Sequence, residues 1–341
     1  MSKRSSKIST VIISRTDSIG DVMLTLPLAG IIKKFMPDVR IVFLGRDYTR
    51  AVIGCCDHID EFVSWDLIKA LPPQDQLRQF KGLHADAILH VFPDKSIAAL
   101  AKQSLIPIRA GTSHRVYHLL TCNRLLHFSR KSSALHESQL NLKLLSAIGI
   151  DVMLSRTEIN RFSGFTKIPS LNAEFKTLMS SDKFNLILHP RSKGSAREWG
   201  LENFSKLIDM LPADRFNVFI SGTTEEGKSM QSFILENKKA TDLTGKMNLE
   251  QYIAFIASAQ GLIAASTGPL HIASALNKKA IGIFSPMHPI HPGRWAPIGE
   301  QAEFLVKNTN CSDCRNNNDC HCIREVSPEV VRDRLFLALE S

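Results

Sequence analysis

Short apolar runs alternate with stretches of helical period along this chain, and the alternation occurs twice. In the first half Thr10–Ser14 (TVIIS), 40–44 (RIVFL), 61–65 and 86–92 read as strands. Val22, Leu24, Leu26, Leu28, Ile31, Ile32 and Phe35 set the rhythm of the first helix, which Pro27 is expected to bend or to divide. In the second half 185–189, 216–221, Gly261–Ala265 and 280–284 read as strands, with helices at 201–211, 226–238, 249–259 and 269–276. Strand alternating with helix dictates a parallel sheet covered on both faces. Residues 162–171 (FSGFTKIPSL) interrupt the pattern with Gly, Ser and Pro and read as a link. The expected architecture is therefore α/β: two doubly wound domains, 1–165 and 166–341. Ser327-Pro328-Glu329 starts a terminal helix over about 327–340 that could pack back on the first domain.

With 341 residues, 44% apolar and 22% charged, the chain is long and apolar enough for two such cores. No apolar run approaches the ~20 residues of a membrane-spanning helix, and Val11-Ile12-Ile13 is too short for the core of a signal peptide. A cytoplasmic location is expected. The net charge of +9 is uneven: residues 1–165 carry +8 and residues 166–341 carry +1. A basic half implies an anionic partner, or else a merely solubilising surface. Trp and Tyr are sparse in that half, which argues against nucleic acid as the partner.

Neither a GxxxxGK[ST] phosphate loop nor GxGxxG occurs at the strand ends, which disfavours P-loop hydrolases and nicotinamide dehydrogenases. A different anion site is legible in Ala264-Ala265-Ser266-Thr267-Gly268-Pro269-Leu270-His271, which runs from a buried strand straight into a helix. Ser266 or Thr267 can cap that helix, Gly268 admits close backbone approach and Pro269 suits the first turn. Free amides at the positive end of the helix dipole then make a phosphate cradle, with His271 in reach. The loop after the first strand of the second half, 189–199, holds Arg191, Lys193 and Arg197 with Ser192, Gly194 and Ser195, a set suited to a diphosphate. Glu225 and Glu226, after the next strand, are candidates to accept bonds from ribose hydroxyls. In the first half Arg15 and Asp21 flank a loop at a strand end. Asp21 is either an ordinary capping residue or a general base for a hydroxyl nucleophile.

Taken together, Arg15-x4-Gly20-Asp21-x4-Leu26-Pro27, Arg197-Glu198-Trp199, Ser266-Thr267-Gly268-Pro269-Leu270-His271 and the block His136-Glu137-Ser138-Gln139-Leu140-Asn141 resemble glycosyltransferase family 9. That family contains the ADP-heptose:lipopolysaccharide heptosyltransferases, and the likeness covers essentially the whole chain. It implies a GT-B fold, two Rossmann-like domains facing a central cleft, with the acceptor bound by the first and the sugar nucleotide by the second. It also implies inverting transfer with no metal or other cofactor, the nucleotide-sugar serving as co-substrate. Asp21 matches the base, with Arg15 and Gly20 beside it on the acceptor side. Arg197 stands where the family usually has Lys and neutralises the departing diphosphate. Ser192 and Lys193 fall in the phosphate loop, Glu225 or Glu226 matches the ribose acid, and Thr267, Gly268 and His271 match the diphosphate loop. Many heptosyltransferases have Asp at the position of Ser266, where it contacts the sugar, so the donor sugar is the open point. The implied partners are an ADP-sugar and an anionic glycolipid acceptor, met by peripheral association with the cytoplasmic membrane face. The competing readings are a catalytically idle sugar-nucleotide or glycan-binding protein on the same scaffold, and a transferase of another nucleotide-sugar.

Seven cysteines include Cys311-x2-Cys314-x5-Cys320-His321-Cys322. Such spacing is compatible with a structural zinc site, but reduced or adventitiously oxidised thiols are the favoured reading in a cytoplasmic protein.

Overall fold

The apolar runs become the centres of two fully parallel sheets. The computed structural model describes residues 8–130, 133–307 and 320–339 and separates into two units, Met1–Lys167 and Ile168–Ser341. The first unit contains β1 (Thr10–Ser14), β2 (Arg40–Gly45), β3 (Glu61–Ser64), β4 (Ala87–His90), β5 (Ile108–Thr112) and β6 (Arg124–Leu126), in the order β3-β2-β1-β4-β5-β6. The second contains β7 (Phe184–His189), β8 (Phe216–Ile220), β9 (Ala240–Asp242), β10 (Gly261–Ala265), β11 (Lys279–Ile283) and β12 (Ala302–Leu305), in the order β12-β11-β10-β7-β8-β9. Both units thus share one topology. In each, strand order reverses beside the first strand, between β1 and β4 or between β7 and β10. Ligands of such sheets bind outside the carboxyl ends of the strands at that reversal.

β1, β4, β7 and β10 are buried along their whole length, so hydrophobicity marks them clearly. The strands that the sequence pattern does not reveal are β5, β6, β9 and β12; of these β6 and β9 are three-residue edge strands with no buried residue. Pro27 divides rather than bends the first helix: Ile19–Met23 ends, and Pro27–Phe35 begins with the proline in its first turn. The helix expected over 226–238 is likewise two, Thr224–Ser229 and Gln231–Glu236, because Met230 leaves helical geometry as its side chain enters the core.

The terminal helix Pro328–Leu337 packs on its own unit. Val331 and Leu335 join the second unit's core, Phe336 meets Phe216 at 5.7 Å between ring centroids, and Trp199 Nε1 donates to the carbonyl of Val326 at 2.7 Å.

At the reversal of the first sheet, Ser14 and His90 are register partners and both are buried. Neither the Ser14 hydroxyl nor either ring nitrogen of His90 has a hydrogen-bond partner. Burial, reinforced by His118 and Arg109, pushes the His90 pKa down from 6.5 to about 3. The unfolded chain therefore binds this proton more readily than the folded one, and stability falls as pH drops below about 6.5 towards 3. The slope from this group approaches ~1.4 kcal/mol per pH unit. Urea unfolding of the native chain and of His90→Leu, at neutral pH and near pH 5, should show a smaller loss of stability on acidification for the variant. Parallel losses would mean that His90 is not the group that titrates.

Candidate functional site

In the first unit the loop after β1 is organised by one buried guanidinium. Arg15 Nε donates to Asp17 at 2.6 Å, one terminal nitrogen donates to Glu137 at 3.1 Å, and the other bonds Asp21. Glu137 is itself buried and also takes a bond from Arg130, whose second nitrogen donates to the carbonyl of Val91 at 3.1 Å. Burial works against the Arg15 charge, but Asp21, Asp17 and Glu137 together outweigh it, and its pKa is raised. Asp17 behaves oppositely: burial and the neighbouring Asp21 push it up to about 6, against the pull of Arg15.

Asp21 lies in the first turn of the helix Ile19–Met23, capped by Ser18, whose hydroxyl also donates to the Asp21 carboxylate. With 17% of its side chain exposed, Asp21 is one of two carboxylates of this hub that reach solvent, Asp17 being the other, while Glu137 is buried. Both sequence readings of Asp21 are thus open to it: it sits at a helix start, and it presents an aimed, accessible carboxylate. Gly20 is buried in the same turn. Arg15, placed by the sequence on the acceptor side, is buried beneath Asp17 and Asp21. Asp17, Glu137 and Arg130 were not singled out by sequence reasoning. Glu137 lies 122 residues from Arg15, and the only signal for it was its place in the 136–141 block. That block is bolted on by Asn141, whose Nδ2 donates to the carbonyl of Leu24 at 3.1 Å and to the Thr25 hydroxyl at 3.3 Å.

In the second unit β10 runs into the helix Gly268–Ala275, with Thr267 at its N-cap. Three other helices of this unit start with a side-chain cap, Thr223, Asn248 and Ser327 each accepting from an amide of the first turn, whereas Leu201–Met210 starts at Gly200 without one. Thr267 provides no such cap either. Its hydroxyl is buried without a hydrogen-bond partner, and the first amides of its helix receive no side-chain cap. A buried polar group without a partner is costly, and an uncapped helix start is a ready anion site. Ser266 is half-buried on the loop, while His271 is buried within the first turn.

The basic loop follows β7, the strand paired with β10. Glu198 closes its base, accepting from Arg191 at 2.9 Å and from the Ser192 amide at 2.9 Å. Two successive left-handed residues, Lys193 (φ 49°) and Gly194 (φ 78°), form its tip, and Lys193 is exposed there. The Ser192 hydroxyl is turned inward and donates to the carbonyl of Ala196 at 2.9 Å, so Ser192 shapes the loop. Arg197 is half-buried beside it, and Trp199 anchors the exit against Phe204.

After β8 the two acids separate. Glu226 completes a capping box: its carboxylate accepts from the Thr223 amide at 2.7 Å, and the Thr223 hydroxyl accepts from the Glu226 amide. Glu225 is exposed, and its pKa is lowered by its own backbone and by Thr223, with Lys193 and Lys228 acting in the same direction. Beneath them the Ser221 hydroxyl bridges His189 Nδ1 at 3.1 Å and the Tyr252 hydroxyl at 2.7 Å. Burial holds the His189 pKa below its ordinary value despite Glu226 and Glu198, so this floor is neutral.

Among the described residues no group of three His, Cys, Asp or Glu is placed to hold a metal ion. Cys320 is buried 3.3 Å from the Ser285 hydroxyl and Cys322 is half-buried; Cys311 and Cys314 lie outside the described residues. No described helix is long and apolar enough to cross a membrane.

Comparison with known proteins matches residues 78–322 to the model of glycosyltransferase family 9 (heptosyltransferase). A candidate glycosyltransferase of Haemophilus influenzae is 24% identical over 305 residues, covering 87% of this chain and 88% of its own. Lipopolysaccharide heptosyltransferase 3 of Escherichia coli is 24% identical over 282 residues, covering 78% of this chain and 80% of its own. The solved structure of E. coli ADP-heptose lipopolysaccharide heptosyltransferase II superposes with a TM-score of 0.74 at 15% identity, over 98% of this chain and 99% of that one. At that identity the superposition establishes the fold, GT-B.

Proposed function

The chain belongs to glycosyltransferase family 9, and from that premise we propose that it transfers a heptose from ADP-heptose to the core of lipopolysaccharide, with inversion at the sugar carbon. The observation that carries the donor half of this reading is the uncapped start of Gly268–Ala275 with its buried, unpartnered Thr267 hydroxyl. A diphosphate supplies acceptors to those donors. The Thr267 hydroxyl, the Gly268 amide and His271 hydrogen-bond it, and the cations Lys193 and Arg197 neutralise it as it leaves, all in place before the reaction. These cations take the part that a divalent metal plays in other transferases, so transfer is expected to proceed in chelator.

On the acceptor side Asp21 takes the proton of the attacking hydroxyl. The new bond joins that oxygen to the anomeric carbon, and the bond from that carbon to the diphosphate oxygen breaks with its electron pair leaving on ADP. Arg15 and Ser18 hold the carboxylate in place. The acceptor is an anionic glycolipid, reached by peripheral association with the cytoplasmic face of the membrane.

Of the two acids after β8, Glu225 is the one available to the ribose hydroxyls, because Glu226 is engaged in its capping box. Glu225→Ala should weaken ADP binding about tenfold by calorimetry. Glu226→Ala should instead lower stability by about 1 kcal/mol through the lost cap. The reverse pattern would assign the ribose to Glu226. The same titration run with ADP-, GDP- and UDP-sugars tests the donor. Ser266, standing where many relatives have Asp, makes the sugar the discriminating variable, and tighter binding of a UDP- or GDP-sugar than of ADP-heptose would overturn the assignment.

A further inference from the structure

Between Asp94 and Glu137 the sequence holds seven Lys and Arg and no Asp or Glu, which accounts for most of the first half's excess charge. The middle of this stretch is the short helix Val116–Thr121. Its inward residue, His118, is buried, and the Cys122 that follows the helix packs beside it against Gly111. Val116, Leu119 and Leu120, at i, i+3 and i+4, form the opposite face. They are joined by Leu105 and Leu125, and all five are between 44% and 78% exposed.

The patch is fixed in place. Lys102 donates to the carbonyl of Leu120 at 2.9 Å, and Arg109 bonds the carbonyls of both Thr121 and Ile106, holding the Leu105 turn to the helix end. Arg115 precedes the helix and Arg124 precedes Leu125 on the edge strand β6; both are exposed and without an ion pair among the described residues. The acids that bound the stretch are engaged elsewhere: Asp94 caps the helix Lys95–Gln103, and Glu137 is buried with Arg15 and Arg130.

We propose that this face docks the protein on an anionic phospholipid surface. A helical apolar face within a basic stretch matches the boundary between acyl chains and headgroups: the leucines enter the apolar layer and the cations meet the phosphates. A second copy of the chain is a poorer occupant, because two copies of this acid-free, basic stretch would meet with like charge. The inference gives a location to the membrane association in the functional reading. Its test uses neither sugar nor acceptor, so its failure and a failure of transfer are separate results.

The full chain is floated with vesicles of phosphatidylethanolamine and phosphatidylglycerol, and with vesicles of phosphatidylcholine alone. It should bind the anionic vesicles and release with rising salt. Leu119→Ser with Leu120→Ser should lower the partition about tenfold. Arg115→Gln with Arg124→Gln should lower it and flatten the salt dependence. Urea unfolding followed in the first unit, unchanged in both, certifies the variants as folded. Absence of binding by the native chain, equal binding of phosphatidylcholine, or undiminished binding of the leucine variant would each overturn the proposal. So would a dimer in sedimentation that the leucine substitutions dissolve.

Discussion

Asp21→Ala is expected to lower sugar transfer by about three orders of magnitude, within the range that a positioned general base contributes. Donor affinity should stay within about twofold, because the residues assigned to ADP all belong to the second unit. The expectation follows from the geometry of Asp21, which is fixed by Arg15 and Ser18 yet still open to solvent. A residue that served only as a helix cap would give a different outcome, a loss of stability near 1 kcal/mol with turnover retained. Asp21→Asn separates the two roles further, since the amide keeps the size of the side chain but cannot take a proton at neutral pH. Single-turnover rates with saturating donor, read beside ADP affinity, decide between them, and residual turnover near the native rate removes Asp21 as the base.

The second large effect is on stability. Arg15→Met should destabilise the first unit by about 3–5 kcal/mol, the range seen when one member of a buried ionic group is removed. Glu137 would remain buried with Arg130 as its cation, and Asp17 and Asp21 would lose the charge that holds them together. Arg15→Lys keeps the charge but not the fork that reaches three carboxylates, so it should fall between the native chain and Arg15→Met. Urea unfolding followed in the first unit measures this, and a loss below about 1 kcal/mol for Arg15→Met would show that the hub is not structural. Transfer should fall in both variants even under conditions where they remain folded, because Asp21 loses its orienting partner.

What could be read directly in the sequence follows burial. Thr10–Ser14 and Gly261–Ala265 are legible residue for residue because both faces of these central strands are covered. Edge strands such as Arg124–Leu126 show no such pattern, since half-exposed residues need not be apolar. In the site, local motifs were visible as motifs. Thr267 and Gly268 mark a strand running into a helix start, and Asp21 marks a helix turn after a strand. Partnerships across the chain were not visible. Nothing in the spacing links Arg15 to Glu137, and the buried guanidinium that joins them looks, as sequence, like one more cation in a basic half. Glu225 and Glu226 are equivalent as sequence because both fall in one helical turn. Only the reciprocal bonds of Thr223 and Glu226 tell them apart. The charge excess is a similar case: its sum was plain from the start, but which leucines the fold leaves exposed within that basic stretch was not.

The most direct test of the account is a mass measurement on the acceptor. The purified chain is incubated with ADP-heptose and a lipopolysaccharide core lacking its next heptose, with chelator present, and the acceptor is weighed while ADP is quantified. The account predicts one added heptose per acceptor, one ADP released for each, and neither product with Asp21→Ala. ADP release without gain of mass by the acceptor, or transfer only from a UDP- or GDP-sugar, would contradict it.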